Sequence, residues 1–179
     1  MKFINIYTKR GSMKTRTKNK NQWMKPKCNI KVFISCFVIV VAVAFIGSRF
    51  TKIDSWYDSV KPSITPPNYV FPIAWTILFA LIAASMYFAW VNSNRKWKLD
   101  IIVLFTFNFV FNILWSYFYF TMHAPMFAFI DLIFLIVSII LLIILTYKID
   151  KRASYLLVPY LLWTCFAGVL NYLTIINLY

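Results

Sequence analysis

Few side chains in this sequence could do acid–base, nucleophilic or metal chemistry. The chain has one histidine, His123, and five acidic residues, none of which is a glutamate. Its three cysteines show no spacing typical of a zinc site, a redox pair or a disulfide framework. The sequence therefore predicts neither a catalytic triad nor a metal site. We assign no catalytic residue and expect no metal and no cofactor.

The residues with a suggestive spacing are aromatic and small side chains within apolar segments. Trp75 and Phe79 lie four positions apart, as do Trp163 and Ala167, so that each pair shares one face of a helix. A small side chain one turn from an indole leaves a slot that suits a planar ring. Taken alone, such a stripe is more often core packing than a ligand site. Both interpretations stay open at this point.

Polar groups within the apolar segments form a second set of candidates. Asn108, Asn112 and Trp115 are spaced i, i+4 and i+7 and share one face of a helix. Carboxamides at membrane depth need hydrogen-bond partners. This favours a helix–helix hydrogen bond for Asn108, whereas Asn112 could equally contact a ligand. For Asp131 we favour a structural role, with bonds to loop amides or tyrosine hydroxyls, and for His123 a solvated turn.

The elements that carry these residues are predicted to be transmembrane helices. The sequence is 61% apolar and only 13% charged, against about 45–50% and about 25% in soluble domains. Five apolar runs are long enough to cross about 30 Å of hydrocarbon. We therefore predict an all-α membrane protein, with a five-helix bundle over residues 30–179. The predicted spans are Ile30–Ser48, Phe71–Val91, Leu99–Phe120, Pro125–Tyr147 and Tyr155–Asn177.

The basic residues are distributed unevenly along the chain. Ten of the 19 Lys and Arg residues fall within the first 31 positions, and we expect residues 1–29 to form a disordered basic tail. Sixteen lie on the tail's side of the spans and three on the other. This bias predicts a cytoplasmic N-terminus in a bacterial-type membrane. The basic tail is typical of contact with anionic lipid, and we expect no nucleic-acid binding.

The connection between the first two spans is the only long one. It runs from about Arg49 to Val70 and is rich in aromatic residues and proline. A loop of this length in a small bundle is usually functional or disordered. Its composition predicts an ordered lid over one end of the bundle. If the helices enclose a ligand pocket, Tyr57 and Tyr69 of this lid are expected to cover it.

Three segments carry a resemblance to a known family. The segment WYDSVKPSITPPNYVFPIAWTILFALIAAS, from Trp56 to Ser85, resembles the tryptophan-rich loop and second helix of the translocator protein family (TspO/MBR), also called the tryptophan-rich sensory or peripheral-type benzodiazepine receptor family. FNFVFNILWSYFYF (Phe107–Phe120) and VPYLLWTCFAGVLNY (Val158–Tyr172) are similar to its third-helix and fifth-helix motifs. The resemblance covers roughly residues 54–177.

This resemblance implies a function as well as a fold. It implies binding of porphyrins, other tetrapyrroles or similar planar hydrophobic ligands, a transport or sensory-regulatory role, and a homodimer formed through lipid-facing surfaces. A receptor or transporter is favoured over an enzyme. The alternative is light-dependent porphyrin degradation that uses pocket tryptophans. The resemblance, together with the spacing, predicts a ligand site formed by Trp75, Asn112, Trp115, Trp163, Ala167, Tyr57, Tyr69, Phe79 and Leu170.

The sequence departs from the family pattern at two places. Ile64 stands where the family usually has a tryptophan before the double proline. The cholesterol-recognition pattern of animal members needs Lys or Arg a few residues after Tyr172, and here the chain continues as LTIINLY. A sterol is therefore less expected than a tetrapyrrole. A third interpretation is an aromatic-rich scaffold without a small ligand.

Overall fold

The computed structural model describes residues 29–178 and is helical over most of that range. Within it, five helices are long and apolar enough to cross a membrane, which confirms the predicted five-helix bundle. The expected basic tail lies outside the described residues, except for Asn29. The α-helices in the described range are α1 (Ile30–Phe50), α2 (Ser55–Val60), α3 (Val70–Asn92), α4 (Lys98–Ser116), α5 (Pro125–Ile149) and α6 (Lys151–Leu178). A 3-10 helix over Arg95–Trp97 precedes α4, and a π-helix over Tyr117–Thr121 follows it.

Side chains and proline mark where several helices begin. The side chain of Asn29 accepts a hydrogen bond of 3.3 Å from the backbone N–H of Val32, which caps α1. Pro125 is the first residue of α5. Proline lacks a backbone N–H, but a residue at this position would have no helical acceptor for it. Pro159 lies inside α6, where neighbouring helices can compensate for a lost bond.

The junction between α5 and α6 is shorter than the sequence predicted. The two helices are separated only by Asp150, whose Oδ1 accepts a hydrogen bond of 2.9 Å from the backbone N–H of Arg152. The predicted spans stopped at Tyr147 and resumed at Tyr155 because the intervening residues are charged. Charged side chains are compatible with a helix that leaves the hydrocarbon, since their long stems reach the interface.

The five long helices form a closed ring in the order α1, α3, α6, α5, α4 and back to α1. α6 approaches α5 closely at Gly168, where an added Cβ would lie only 3.0 Å from Leu132 Cδ2. The outer surface carries many exposed apolar side chains, such as Phe45 and Leu162, each about two thirds exposed. An apolar surface of this extent needs lipid as its solvent.

A buried polar network links α4, α5 and α6. The Nδ2 of Asn108 donates to Ser138 Oγ at 2.9 Å, and the Tyr160 hydroxyl donates to Asn108 Oδ1 at 3.4 Å. This agrees with the helix–helix role expected for Asn108. Asp131 differs from expectation: it is 6% exposed on α5, and its Oδ2 has no hydrogen-bond partner within the described residues.

The first loop packs against the bundle through α2 and the α4–α5 turn. Asp54 Oδ1 accepts the backbone N–H of Tyr57 at 3.0 Å, and Asp54 Oδ2 lies 3.0 Å from His123 Nε2. These bonds hold the pKa of the Asp54 carboxyl below its usual range. The His123 ring also stacks on Trp56, with a centroid distance of 4.4 Å.

His123 is exposed in the α4–α5 turn, as its position in the sequence suggested, but its ring also contacts Trp56 and Asp54. Its backbone adopts a left-handed φ of 51°, a conformation that is uncommon for any residue other than glycine. The geometry aims its ring at the loop, and sequence spacing could not reveal this because Asp54 is 69 positions away.

Candidate ligand-binding cavity

A cavity of about 350 Å³ lies between the first loop and helices α1, α3, α4 and α6. Its volume falls within the range of small-molecule sites, roughly 300–1,000 Å³. Most of its wall is aromatic or aliphatic. The lining residues are Ala44, Gly47, Ser48, Thr51, Ile53, Tyr57, Asn68, Phe71, Pro72, Trp75, Phe79, Asn112, Trp115, Ser116, Phe120, Trp163 and Ala167.

Seven of the nine predicted site residues line this cavity, and two do not. Tyr69 is 67% exposed and lies on a shallow groove at the outer surface of the loop. Leu170 is buried, but outside the cavity lining. The residues that the fold brings together are Tyr57, Trp75, Phe79, Asn112, Trp115, Trp163 and Ala167.

The indoles on the cavity wall are held by neighbouring aromatic rings. Trp75 lies 5.3 Å from Phe79 between ring centroids, and Trp163 meets Phe71 edge to face at 5.9 Å. Trp115 stacks on Tyr119 at 5.4 Å with an interplanar angle of 20°. Offset and edge-to-face pairs of this kind are favourable. They leave the indoles positioned before any ligand arrives.

Asn171 fixes the orientation of Trp115 from α6. Its Oδ1 accepts the indole N–H at 3.2 Å, and its Nδ2 donates to the backbone carbonyl of Pro125 at 2.8 Å. Asn171 is almost fully buried. One carboxamide thus ties three helices together and sets one aromatic wall of the cavity.

Asn112 provides a polar group deep in the cavity. It is 7% exposed, and its Nδ2 donates to the Tyr160 hydroxyl at 3.1 Å. That bond uses one of its two N–H donors. The helix–helix and ligand-contact interpretations of Asn112 are therefore compatible with each other.

The sequence interpretation missed the contribution of α1. Ala44, Gly47 and Ser48 are spaced i, i+3 and i+4, so they form a small-residue face in an otherwise bulky helix. That pattern was a usable signal, since small residues let other groups approach a transmembrane helix closely. Loop residues such as Asn68 carry no comparable signal, because only the folded loop brings them to the cavity.

A ring of five bilayer-length helices around an aromatic cavity defines a membrane protein with a ligand-sized chamber. The sequence profile of the TspO/MBR family matches residues 36–176. This chain is a member of the TspO/MBR family.

Individual relatives agree with this assignment. The chain is 40% identical to the tryptophan-rich protein TspO of Archaeoglobus fulgidus over 147 aligned residues. The alignment covers 80% of this chain and 95% of the relative. It is 33% identical to the tryptophan-rich sensory protein of Cereibacter sphaeroides, over 68% of this chain and 75% of that one. It is 28% identical to the human translocator protein, over 72% and 79% of the two chains.

Proposed function

We propose that this protein binds porphyrins or similar planar tetrapyrroles in the cavity between its helices and acts in their transport or in sensing them. The observation that carries this proposal is that Trp75 from α3 and Trp163 and Ala167 from α6 line the same cavity. Two indoles and a methyl-sized side chain leave room for a flat ring. The names of the relatives, a sensory protein and a translocator protein, support a role in sensing or transport.

The chemistry of the wall matches this class of ligand. Contacts between aromatic faces contribute about 0.5–1.5 kcal/mol per pair beyond the burial of apolar area. Asn112 supplies a hydrogen-bonding group in the interior, which fixes orientation as a few polar groups do in most apolar pockets. A sterol remains the less favoured ligand, because it offers no planar aromatic face to the indoles.

The first loop serves as the lid in this proposal. Tyr57 on α2 lines the cavity and is only 6% exposed. The Asp54–His123 contact and the stacking of Trp56 on His123 hold α2 against the α4–α5 turn. Tyr69, which is exposed on the outer side of the loop, contributes to the shape of the lid rather than to the lining.

The proposed setting is a bilayer in which the N-terminal tail is cytoplasmic. Five spans would leave the two ends of the bundle on opposite sides of the bilayer. The excess of Lys and Arg on the tail's side supports a cytoplasmic tail in a bacterial-type membrane. The exposed apolar faces of the long helices would carry the contact between two copies in a homodimer.

A second candidate function is light-dependent degradation of the bound porphyrin. The observation in its favour is that three indoles, those of Trp75, Trp115 and Trp163, line the same cavity. Indoles can take part in radical chemistry with a photoexcited ring, and such a reaction would need no conventional acid, base or nucleophile.

A titration with protoporphyrin IX tests both functions. In darkness we expect saturable quenching of tryptophan fluorescence by purified protein, with an unchanged porphyrin absorption spectrum after release. Absence of saturation would contradict the binding proposal. In light, the second function predicts that the wild type causes loss of the main porphyrin absorption band and that the double variant Trp75→Phe/Trp163→Phe does not. An unchanged band with the wild type would exclude this function.

A further inference from the structure

The first loop is joined to the bundle by a contact whose charge can change. His123 Nε2 lies 3.0 Å from Asp54 Oδ2, and the two side chains are 38% and 40% exposed, so that protons from solvent reach both. The indole of Trp56 stacks on the imidazole, with a centroid distance of 4.4 Å and an interplanar angle of 20°. We call Asp54, Trp56 and His123 the latch.

Asp54 connects the latch to the cavity through α2. Its Oδ1 caps this helix by accepting the backbone N–H of Tyr57 at 3.0 Å, while its Oδ2 faces His123. Tyr57 lines the cavity and is buried. One carboxylate therefore contacts both the α4–α5 turn and the helix that carries a lid residue.

A second bond between the turn and the bundle does not depend on charge. Thr121 Oγ1 donates to the Phe50 carbonyl at the end of α1, at 3.1 Å. This hydroxyl does not titrate, so it joins the turn to α1 at every pH. Only the contact between the turn and α2 changes with protonation.

We propose that the latch is a pH-sensitive device that holds the lid closed most firmly at mildly acidic pH. This inference rests on the proposed function and adds a form of regulation to it. When the imidazole of His123 carries both ring protons, it forms an ion pair with Asp54 and places a positive charge on the indole face of Trp56. Both attractions are favourable, and both weaken when the ring becomes neutral.

The charge states of the two partners set the pH range. Among side chains, histidine ordinarily changes its charge between about pH 5 and 8, and His123 is the only histidine in the chain. The bonds from the Tyr57 N–H and from His123 hold the pKa of the Asp54 carboxyl below its usual range, so Asp54 stays ionised there. The latch therefore weakens as the pH rises through the titration of the imidazole. On the acid side it is lost only when the pH falls through the lowered pKa of Asp54.

The groups around the latch do not give the same response. The other titratable side chains of the loop, α2, the end of α1 and the π-helix are Arg49, Lys52, Tyr57, Asp58, Lys61, Tyr117 and Tyr119. Asp58 pairs with Lys61 at 2.6 Å, and lysine, arginine and tyrosine ordinarily keep one charge state between about pH 5 and 8. The adjoining ends of α5 and α6, residues 125–130 and 173–178, contain no titratable side chain.

Amide exchange of α2 tests the latch without a ligand. The amides of Asp58 and Lys61 bond to the carbonyls of Asp54 and Tyr57. Their protection is measured in nanodiscs at about pH 6 and about pH 8.5, on either side of an ordinary histidine titration, and corrected for the intrinsic exchange rate at each pH. We expect about fivefold greater protection at the lower pH, because an exposed ion pair and a cation–π contact each contribute modestly.

The dissociation rate of protoporphyrin IX dimethyl ester tests the effect on the cavity. This ester lacks the ionisable propionates, so its own charge does not follow theirs. If the ligand leaves past the lid, its dissociation should be about fivefold slower at about pH 6 than at about pH 8.5.

Two variants remove one charge each, and a third is their matched control. His123→Asn removes the imidazole, and asparagine tolerates the left-handed backbone of this position. Asp54→Asn keeps a capping side chain but removes the carboxylate. Both should lose the pH dependence of protection and of dissociation. Asp58→Asn removes an acid of the same helix that pairs with Lys61 rather than with His123, and it should respond to pH as the wild type does.

Several results would overturn the inference. They are equal protection of wild-type α2 at the two pH values, a pH dependence that persists in His123→Asn or Asp54→Asn, and its loss in Asp58→Asn, which would assign it to the net charge of the loop. Dissociation of the ester that is independent of pH would also contradict the inference, since the latch would then not control the cavity. Failure of the wild type to bind both protoporphyrin IX and its ester would instead contradict the proposed function, and amide exchange would still decide whether the latch responds to pH.

Discussion

Replacing Ala167 by tryptophan is expected to reduce porphyrin affinity by about a hundredfold. Ala167 lines the cavity one helical turn from Trp163, so a second indole there would occupy the space that the ring needs. In the complex the new side chain would compete with the ligand for the same space. Overpacking of this kind costs up to about 3 kcal/mol, which corresponds to about a hundredfold in Kd. The measurement is the dark titration with protoporphyrin IX.

The control is Val169→Trp, which adds a large side chain to the same helix at a position that is 50% exposed on the outer surface. It should leave the affinity unchanged. Helical content and elution volume in detergent should match the wild type for both variants, because the new indole at position 167 enters an existing void. Wild-type affinity in Ala167→Trp would mean that the ligand does not occupy this cavity.

Replacing Asn171 by leucine is expected to lower the free energy of unfolding by about 1–3 kcal/mol. The change removes the acceptor for the Trp115 indole N–H and the donor for the Pro125 carbonyl. The indole N–H would lose its partner at a part-buried site and the carbonyl at a buried one. An unsatisfied buried polar group costs about 1–3 kcal/mol. The free energy can be measured by reversible unfolding in mixed detergent.

Asn177→Leu is the matched control for this substitution. Asn177 is exposed at the end of the same helix, and its single bond to the Val60 carbonyl is 3.5 Å long. We expect a change below about 0.5 kcal/mol there. Equal effects of the two substitutions would show that the Asn171 bonds contribute little to stability, as many interhelical bonds in membranes do.

The fold was predictable because hydrocarbon imposes a simple requirement on sequence. An apolar run such as Ile30–Phe50 has few alternatives to a spanning helix, and the structure differs from the predicted spans mainly at their ends. The ends were missed where charged residues continue a helix past the hydrocarbon, as at Lys151. Hydropathy indicates whether a side chain prefers lipid or water, whereas the end of a helix depends on capping groups and backbone hydrogen bonds.

The cavity was predictable only in part. Helical spacing placed Trp163 and Ala167 on one face, and the family resemblance decided between packing and a ligand site. Spacing could not place Tyr69 or Asn68, because the loop conformation decides which of them faces inward. The partner of His123 was hidden for the same reason: a contact between residues far apart in the chain leaves no local pattern.

The central claim is that an indole-walled chamber holds the ligand, and the affinity of Trp163→Ala for protoporphyrin IX tests it most directly. Equilibrium dialysis in darkness avoids the loss of fluorescence that accompanies removal of a tryptophan. Trp97→Ala, outside the cavity, is the matched control. Loss of one stacked indole should cost about 2 kcal/mol, so Trp163→Ala should bind about thirtyfold more weakly while Trp97→Ala binds as the wild type does. Equal affinity of Trp163→Ala and wild type would contradict the account.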